Sequence, residues 1–377
     1  MTLPESRNAR STSLPGPSRS GMAFPVRADV RVALALLLLT SACREPADEP
    51  PRAPDRSSIA SARTLPFAAD AFNARAVDIA VLDAQVVVLD DSARFHVFDP
   101  AGRHLWTDDL AQEDGIRPGE GATLERDGRR PGSLWVHDRK RSRSLRFDFA
   151  SGAPDANVRE TVVFPAQPAI LETRWLDPTR IVASGLFEDG RFAVFDNRGR
   201  RAGSVGEIPR DDRSDDPPAH VRQHAYMGPI TTAPGGNRFA AATRHADDIS
   251  FFAGNGRLVR RVRGSSNFDP VYSVQRTKGV AFMTSGDDLR FGYIDLASND
   301  SFVFALFSGR QRKHPDGQAN YGRYVQVFDW NGRLLSTTAL GFSASSITAG
   351  ATGGQVLAIQ RHPASGVVKV DLDVSRE

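Results

Sequence analysis

The residues of this sequence with the clearest chemical potential are a histidine pair and a run of aspartates. His220 and His224 are four positions apart, the spacing at which two histidines of one helix bind zinc. The first histidine has no glutamate beside it and the flanking segments favour strands, so the pattern does not predict a zinc site. The aspartates of residues 211–216 lack the sharp-turn glycine and the distal glutamate of a calcium loop. Two prolines follow them, and the run is typical of a solvated loop.

Sequence motifs that would assign a catalytic mechanism are absent from the chain. There is no Gly-x-Ser-x-Gly nucleophile turn, and no glycine-rich phosphate loop leads into a helix. Cys43 is the only cysteine, which excludes disulfides and paired-cysteine metal sites within the chain. We therefore predict no catalytic residues, no metal ligands and no cofactor, and we favour a binding protein over an enzyme.

Residues 309–324 form the segment with the strongest signal for an interaction. The segment combines basic and aromatic side chains, namely Arg310, Arg312, Lys313, His314 and Tyr321. Long loops on a rigid scaffold often carry function. We predict a contact surface for an acidic partner or a glycan, and a purely solvated loop is the alternative.

The N-terminal segment has the order of a secretory signal. Arg27 and Arg31 precede an apolar run at residues 32–39, and small residues lead from that run to Cys43. The run is shorter than the roughly 20 apolar residues that cross a bilayer. The residues that end at Cys43, Leu-Thr-Ser-Ala-Cys, resemble the lipobox of bacterial lipoproteins, with Thr40 where leucine is usual. That resemblance implies that Cys43 becomes the acylated first residue of the mature chain and anchors it to a membrane.

The chain is accordingly divided into three parts. Residues 1–42 are a leader and lipoprotein signal peptide, and because residues 1–21 do not fit a signal we hypothesise that translation starts at Met22. Residues 43–62 are the lipidated cysteine and a flexible tether rich in proline and charge. Residues 63–377 are the folded domain. Arg44 stands where an aspartate retains enterobacterial lipoproteins in the inner membrane, so the resemblance implies the outer membrane, facing the periplasm.

Removal of the leader changes the charge balance of the protein. The whole sequence has 48 basic and 45 acidic residues. The leader contains five arginines and two acids, which leaves 43 of each kind. A mature chain without net charge gives no support for binding to nucleic acid, which requires a clustered basic excess.

An internal repeat predicts how the folded domain is built. The motif Phe-Asp-Pro-Ala-Gly-Arg at residues 98–103 recurs, with changes, at residues 195–200, 252–257 and 328–333, and more loosely at 147–152. Alternating apolar residues precede each copy, and Asp, Asn and Gly within the motif are typical of a tight turn between two strands. The glycine supplies the positive φ that such a turn requires. Each interval has room for two more short strands, which predicts a four-stranded sheet per repeat.

The repeat spacing predicts an all-β domain, a single six-bladed β-propeller of four-stranded blades. Five hairpins are explicit, and two strands after the fifth make a sixth blade without an outer strand. Residues 63–72 can supply that strand, so N- and C-terminal strands would close the ring. An open sandwich and a seven-bladed ring are the alternatives. The interval from Gly256 to Gly332 is the longest, and its surplus is assigned to residues 309–321.

Three motifs carry a resemblance to a known family. They are Gly-Ile-Arg-Pro-Gly-Glu at residues 115–120, Ser-Leu-Trp-Val-His-Asp at 133–138 and Tyr-Val-Gln-Val-Phe-Asp-Trp-Asn-Gly at 324–332. On these the chain resembles the TolB-like six-bladed propeller lipoproteins over roughly residues 65–375. Gly121 departs from the family pattern, which has an aromatic residue there. The resemblance implies the propeller fold and assigns no catalytic residue, because the family has no common activity.

The sequence thus favours a membrane-anchored periplasmic lipoprotein whose propeller binds a protein or a small ligand of the cell envelope. The alternative is a hydrolase or lyase with its active site in the central funnel, since propellers can assemble such a site from several blades. Polar residues that converge in the funnel would favour the alternative. The four tryptophans are expected to pack between blades, at Trp106, Trp135, Trp175 and Trp330.

Overall fold

The computed structural model describes residues 62–64, 75–83, 85–109, 121–149, 158–210, 215–350, 353–363 and 365–374. The leader, Cys43, most of the tether and the motif at residues 115–120 lie outside these residues, as does the first part of the aspartate run. The described chain is almost entirely β-structure, as predicted.

Four sheets of four antiparallel strands follow one another along the chain. Blade 1 contains β2 (Ala76–Leu82), β3 (Gln85–Asp90), β4 (Arg94–Phe98) and β5 (His104–Asp109). Blade 2 contains β6 (Thr123–Arg126), β7 (Ser133–Asp138), β8 (Arg143–Asp148) and β9 (Val158–Val163). Blade 3 contains β10 (Ile170–Asp177), β11 (Arg180–Gly185), β12 (Phe192–Asp196) and β13 (Arg201–Val205). Blade 4 contains β14 (Ile230–Thr232), β15 (Arg238–Ala242), β16 (Asp248–Ala253) and β17 (Leu258–Arg263).

Blades 5 and 6 share one strand and form a continuous seven-stranded sheet. Its strands are β20 (Tyr293–Ser298), β21 (Phe302–Phe307), β22 (Gly322–Asp329), β23 (Leu334–Ala349), β24 (Gln355–His362), β25 (Gly366–Asp371) and β1 (Ala62–Thr64). The first half of β23 pairs with β22, and its second half pairs with β24, so β23 is the outer strand of blade 5 and the inner strand of blade 6. The outer strand of blade 6 is β1, with Arg63 opposite Lys369. Closure by N- and C-terminal strands is confirmed.

The hydrophobic core is divided among the six junctions between neighbouring blades. Each junction has its own cluster of buried apolar side chains, including the junction between blades 6 and 1, where Ile79 and Val88 meet Leu357 and Ile359. The ring is therefore closed by burial of apolar surface at every junction. The tryptophans lie in these clusters as expected, at Trp106, Trp135, Trp175 and Trp330.

The repeated motif forms the hairpin between the third and fourth strands of a blade. Asp99, Asp196 and Asp329 each accept hydrogen bonds from the main-chain N–H groups two and four residues later, all at 2.9 Å. The glycine three residues after the aspartate has φ between 76° and 86°, for example at Gly102 and Gly199. The aspartate side chain thus replaces main-chain partners that the turn lacks, which is why Asp and Gly recur together.

Two insertions were not predicted in this form. The helix α1 (Ala219–Tyr226) joins blades 3 and 4 and contains His220 and His224; the segments around it are strands, as expected, but the helix itself was not predicted. A two-stranded hairpin of β18 (Ser273–Thr277) and β19 (Val280–Thr284) lies between blades 4 and 5 and packs against α1. The long interval before Gly332 therefore contains this hairpin in addition to the predicted loop of residues 309–321, which connects β21 and β22.

The ring has two faces that the connections distinguish. The turns after the first and third strands of each blade, including the repeated motif, form one face, which we call the hairpin face. The other connections form the loop face, which carries α1, the β18–β19 hairpin, the loop of residues 309–321 and the turn between β24 and β25. In the described part of the chain no helix has the length and apolar character needed to cross a membrane.

Candidate functional site

A cavity of about 730 Å³ lies on the axis of the ring. Residues from the inner strands of all six blades line it. The cavity is the funnel that the sequence predicted for a propeller, and its polar lining is the first candidate for a functional site.

A β-bulge lies at the same place in four of the six inner strands. In each strand one extra residue precedes the residue that faces the next blade: Asp78 in β2, Glu172 in β10, Asp295 in β20 and Ser346 in β23. Bulges redirect the side chain that follows them. The four polar side chains therefore take equivalent positions around the axis.

The carboxylates on the inner strands form a connected set, which we call the carboxylate ring and define as Asp78, Glu125, Glu172 and Asp295. Each accepts a hydrogen bond from a main-chain N–H of the next blade. The donors are Leu124 to Asp78 at 2.7 Å, Trp175 to Glu125 at 2.7 Å, Ile230 to Glu172 at 2.9 Å and Ile347 to Asp295 at 2.8 Å. Each carboxylate therefore ties its own blade to the following one.

Ser346 completes the ring between its two ends. Its hydroxyl oxygen lies 2.6 Å from Asp78 Oδ1 and 2.8 Å from Asp295 Oδ2. A hydroxyl donates only one proton, so the second contact requires a protonated carboxyl as donor. Removal from water, followed by the charges of Asp78 and Glu172, raises the pKa of Asp295 to about 7, which favours such a proton.

Arg174 lies among these carboxylates on β10. Its guanidinium forms an ion pair with Glu172. Burial opposes the charge of Arg174, but the fields of Glu172, Glu125, Asp78 and Asp295 outweigh it and raise the arginine pKa. Enclosure within the ring raises the pKa of Glu125 to about 8, although Arg174 acts in the opposite direction. A second guanidinium, Arg244, reaches the cavity from the loop face and donates to the carbonyl of Ile294 at 3.5 Å.

Four carboxyls and two guanidiniums thus converge in the funnel, and none of them was predicted from the sequence. Their one local signal is an acid between apolar neighbours, as in Val77-Asp78-Ile79 and Ile294-Asp295-Leu296. That signal identifies a charged residue in a strand whose neighbours are buried. Only the closed ring brings the four acids together, because they come from four different blades.

The predicted partner-binding loop is held in place by its own ion pairs. Asp316 binds Arg310 at 2.6 Å and His314 at 2.7 Å, while Lys313 pairs with Asp287 at 3.3 Å. Arg312 is exposed and donates to the carbonyl of Ser285 at 3.2 Å. Arg310 is largely covered, so it stabilises the loop more than it offers a contact surface.

Tyr321, at the end of this loop, belongs to a separate group that we call the cationic patch, defined as Arg75, Arg361 and Tyr321. The Tyr321 hydroxyl accepts a hydrogen bond from Arg75 at 3.4 Å, and its ring lies 5.9 Å from that of His362. Arg361 donates to Ser345 Oγ at 2.8 Å and to the carbonyl of Ala76. Burial and the neighbouring Arg75 lower the pKa of Arg361 to about 10. In the described residues neither guanidinium has an ion pair.

Of the two histidines considered as metal ligands, His220 has other partners. His220 binds the carbonyl of Ala281 at 2.9 Å and lies 3.2 Å from Glu188. Within the described residues no group of three histidine, cysteine or acidic side chains could hold a metal ion.

These features define a closed six-bladed β-propeller whose axial cavity is lined by acids. The family described as TolB-like 6-blade propeller-like matches residues 77–347, and the chain belongs to that family. The resemblance seen in the sequence is confirmed. No curated protein matches the chain.

Several solved propellers are similar in overall shape. The WD40 repeats of RRP9 have 11% identity, with 83% of this chain and 98% of that chain covered and a TM-score of 0.47. BamB from Moraxella catarrhalis has 14% identity, with 78% and 84% covered and a TM-score of 0.38. Cps50 (Swd1) from Myceliophteria thermophila has 9% identity, with 80% and 97% covered and a TM-score of 0.42.

Proposed function

We propose that this chain is a lipid-anchored protein of the bacterial envelope, and that its propeller binds an acidic partner through the loop face. The cationic patch carries the proposal. Arg75 and Arg361 lie close together beside Tyr321, and in the described part of the chain neither guanidinium forms an ion pair. The neighbouring carboxylate of Asp91 accepts a hydrogen bond from the main-chain N–H of Arg75 at 3.1 Å. A concentration of positive charge of this kind attracts an anionic surface.

The rest of the loop face supports the same reading. Arg312 and Lys313 lie on a loop that the ion pairs of Asp316 with Arg310 and His314 hold in one conformation, so little conformational entropy would be lost on binding. The proposed partner is an acidic protein surface or an acidic glycan, and nucleic acid is not proposed because the mature chain has no net positive charge.

The test compares two variants that each lose three exposed cations. Arg75, Arg312 and Lys313 are changed to Ser on the loop face, and Arg310 is kept because it holds the loop. Arg198, Arg257 and Arg333 are changed to Ser on the hairpin face as the control. Partners are cross-linked in intact cells and quantified by mass spectrometry. We expect the loop-face variant to lose a stoichiometric envelope partner about tenfold, the effect of about 1.4 kcal/mol, and the control to retain it. Equal recovery from both would refute the proposal.

The anchor is proposed from the lipobox and from the family, whose members are often associated with the envelope. Cys43→Ser is expected to move the protein from the membrane fraction to the soluble fraction and to abolish incorporation of labelled palmitate. Thr40→Leu, which restores the usual lipobox residue, is the matched control and should preserve both. A Cys43→Ser protein that stays in the membrane fraction would contradict anchoring by this cysteine.

A hydrolase or lyase in the funnel is the second candidate function. One observation favours it: carboxyls with raised pKa values lie beside Arg174, as general acids and charge-stabilising groups do in active sites. Against this, each carboxylate already binds the next blade. Hydrolysis of an ester or glycoside, or β-elimination of a polyuronate to an unsaturated product, that is lost in Asp295→Asn but kept in the loop-face variant would favour the enzyme. Inactivity toward all three substrate classes would count against it.

A further inference from the structure

The inserted hairpin β18–β19 presents features that the cationic patch does not explain. It is a sheet of only two strands, and neither strand pairs with another strand of the described residues. One of its faces packs on α1, where Ala281 belongs to the same buried cluster as Val221 and Tyr226. The hairpin is therefore held firmly on the propeller, although it contributes nothing to a blade.

The two edges of this hairpin differ. On the β19 edge, the main-chain carbonyl of Ala281 points away from β18 and accepts a hydrogen bond from His220 of α1, so this edge is partly satisfied. On the other strand, Thr277 lies opposite Val280 across the two-residue turn of Lys278 and Gly279. Hydrogen-bonded pairs alternate along an antiparallel ladder, so the main-chain groups of Val274 and Arg276 point away from β19. In the described residues these groups have no main-chain partner.

The outward face of the hairpin is apolar. Val280 is 64% exposed and Phe282 is 39% exposed, and residues two apart in a strand lie on the same face. Exposed apolar side chains next to an unpaired strand edge are a template for another strand. The charge of the hairpin is also one-sided, since residues 270–286 contain Arg276 and Lys278 but no acid.

We infer that β18 accepts an extended segment of a partner protein as an added strand, with an acidic side chain of that segment facing Arg276. The added strand would satisfy the free main-chain groups of Val274 and Arg276. In the added strand, the residues on either side of the acidic residue would be apolar. Their side chains would lie on the outward face of the sheet, beside Phe282. This docking surface is separate from the cationic patch and does not depend on it.

Two other occupants fit the charges and shape less well. A second copy of the chain would bring Arg276 and Lys278 against the same cations, and like charges on paired strands are destabilising. A lipid surface would be met first by the turn, where Lys278 and Gly279 stand in place of apolar side chains. A strand of opposite charge avoids both problems.

The test uses the full-length protein and two synthetic peptides, in which a Val-Glu-Val-Glu-Val core or a Val-Lys-Val-Lys-Val core is flanked by serines. We expect the glutamate peptide to bind and to slow amide exchange at Val274 and Arg276 by about tenfold or more. The lysine peptide should bind about tenfold more weakly. Binding that leaves both amides unchanged, or binding of the two peptides with equal affinity, would overturn the inference.

Three variants at one position separate the contributions. Arg276→Ala removes the cation, whereas Arg276→Pro also removes the outward N–H without touching the ladder to β19. Added-strand binding requires the proline variant to bind more weakly than the alanine variant. Arg276→Glu should reverse the preference and select the lysine peptide, which also serves if the proline variant misfolds. Absence of that reversal would refute the charge assignment. If neither peptide binds, two other results would identify the other occupants. Binding to phosphatidylglycerol vesicles that depends on Phe282 would indicate a lipid surface. Self-association in sedimentation that Arg276→Glu strengthens would indicate a second copy of the chain.

Discussion

Single carboxylates at the axis account for how the inner strands of the blades are held in register. Asp78, Glu125, Glu172 and Asp295 each accept a hydrogen bond from a main-chain N–H of the next blade, and this bond is stronger where the carboxyl is ionised. The cost is the removal of four acids from water. Among the described residues, the guanidiniums of Arg174 and Arg244 offset part of this negative charge. Protonation of some of these acids relieves the remaining repulsion.

Glu125 makes the stability of the fold depend on pH. Its pKa is about 8 in the folded chain and 4.5 as its ordinary value, so the folded chain binds an additional proton between these limits. The contribution is therefore complete below pH 4.5 and is lost as pH rises through 8, at up to about 1.4 kcal/mol per pH unit. We expect Glu125→Gln to flatten the fall in unfolding free energy between pH 5 and 8, as measured by urea denaturation. The exposed Glu207→Gln should leave the slope unchanged; equal slopes in all three proteins would contradict this role for Glu125.

Gly199 of the repeated motif is constrained twice. Its φ is 76°, and a Cβ added there would lie 2.0 Å from the carbonyl oxygen of Val163 in the preceding blade. We expect Gly199→Ala to lower the unfolding free energy by about 2–4 kcal/mol, since strain and overpacking combine. Gly203→Ala is the control, because its Cβ would meet nothing within 4 Å. Losses of the same size at both positions would mean that the contact with Val163 is unimportant.

At the scale of elements, the sequence predicts what repeats and misses what occurs once. The motif at residues 98–103 indicates hairpins because aspartate and glycine have local roles in the turn. The helix α1 follows two prolines and has no capping side chain, so its only local sign was the histidine spacing. The β18–β19 hairpin turns through Lys278 and Gly279, a pair weaker than Asn-Gly as a hairpin signal, and its alternation is interrupted by polar residues. Tertiary packing on the propeller decides both elements.

The short strand β1 has a larger role than its three residues suggest. It covers the edge of β25, pairing Ala62 to Thr64 with Val370 to Val368. We expect a chain that starts at residue 66 to have a lower Tm by several degrees and to aggregate more readily, because the β25 edge becomes available to other chains. A chain that starts at residue 58 keeps β1 and is the control in calorimetry and light scattering. Identical behaviour of the two chains would show that β1 does not protect this edge.

At the scale of the whole molecule, the ring is closed by packing at six junctions and by polar contacts at the axis. Ser346 links blade 6 to Asp78 of blade 1 and to Asp295 of blade 5. We expect Ser346→Ala to lower the unfolding free energy by about 1–3 kcal/mol, because a carboxyl loses its partner. Amide exchange should accelerate in blades 1 and 5 together, whereas the exposed Ser301→Ala should change neither. Acceleration confined to blade 6 would argue against a shared closure.

The fold could be predicted from local sequence signals, whereas the cluster of acids in the funnel depends on the whole ring and could not. Strand and turn signals are local, and the family match over residues 77–347 confirms their interpretation. Asp78 and Asp295 meet at Ser346 only after every blade has been placed. The predicted loop was recognised because its basic residues are close in sequence, but the sequence did not indicate that Asp316 holds Arg310, and the partner role of the loop stays a prediction. Arg75 and Arg361 come from opposite ends of the domain and gave no signal in the sequence.

The position of β1 also fixes how the propeller would carry mechanical load. If the chain is tethered at Cys43, any pull from the membrane enters the folded domain through Ala62–Thr64 before it reaches any other strand. The ladder between β1 and β25 has only three residue pairs, whereas β23 of the same sheet has 16 residues and joins blades 5 and 6. Tension would therefore detach β1 first and lengthen the tether while the remaining blades stay assembled. The outer strand of blade 6 would then be the first strand to unfold under load, and its loss would spare the rest of the ring.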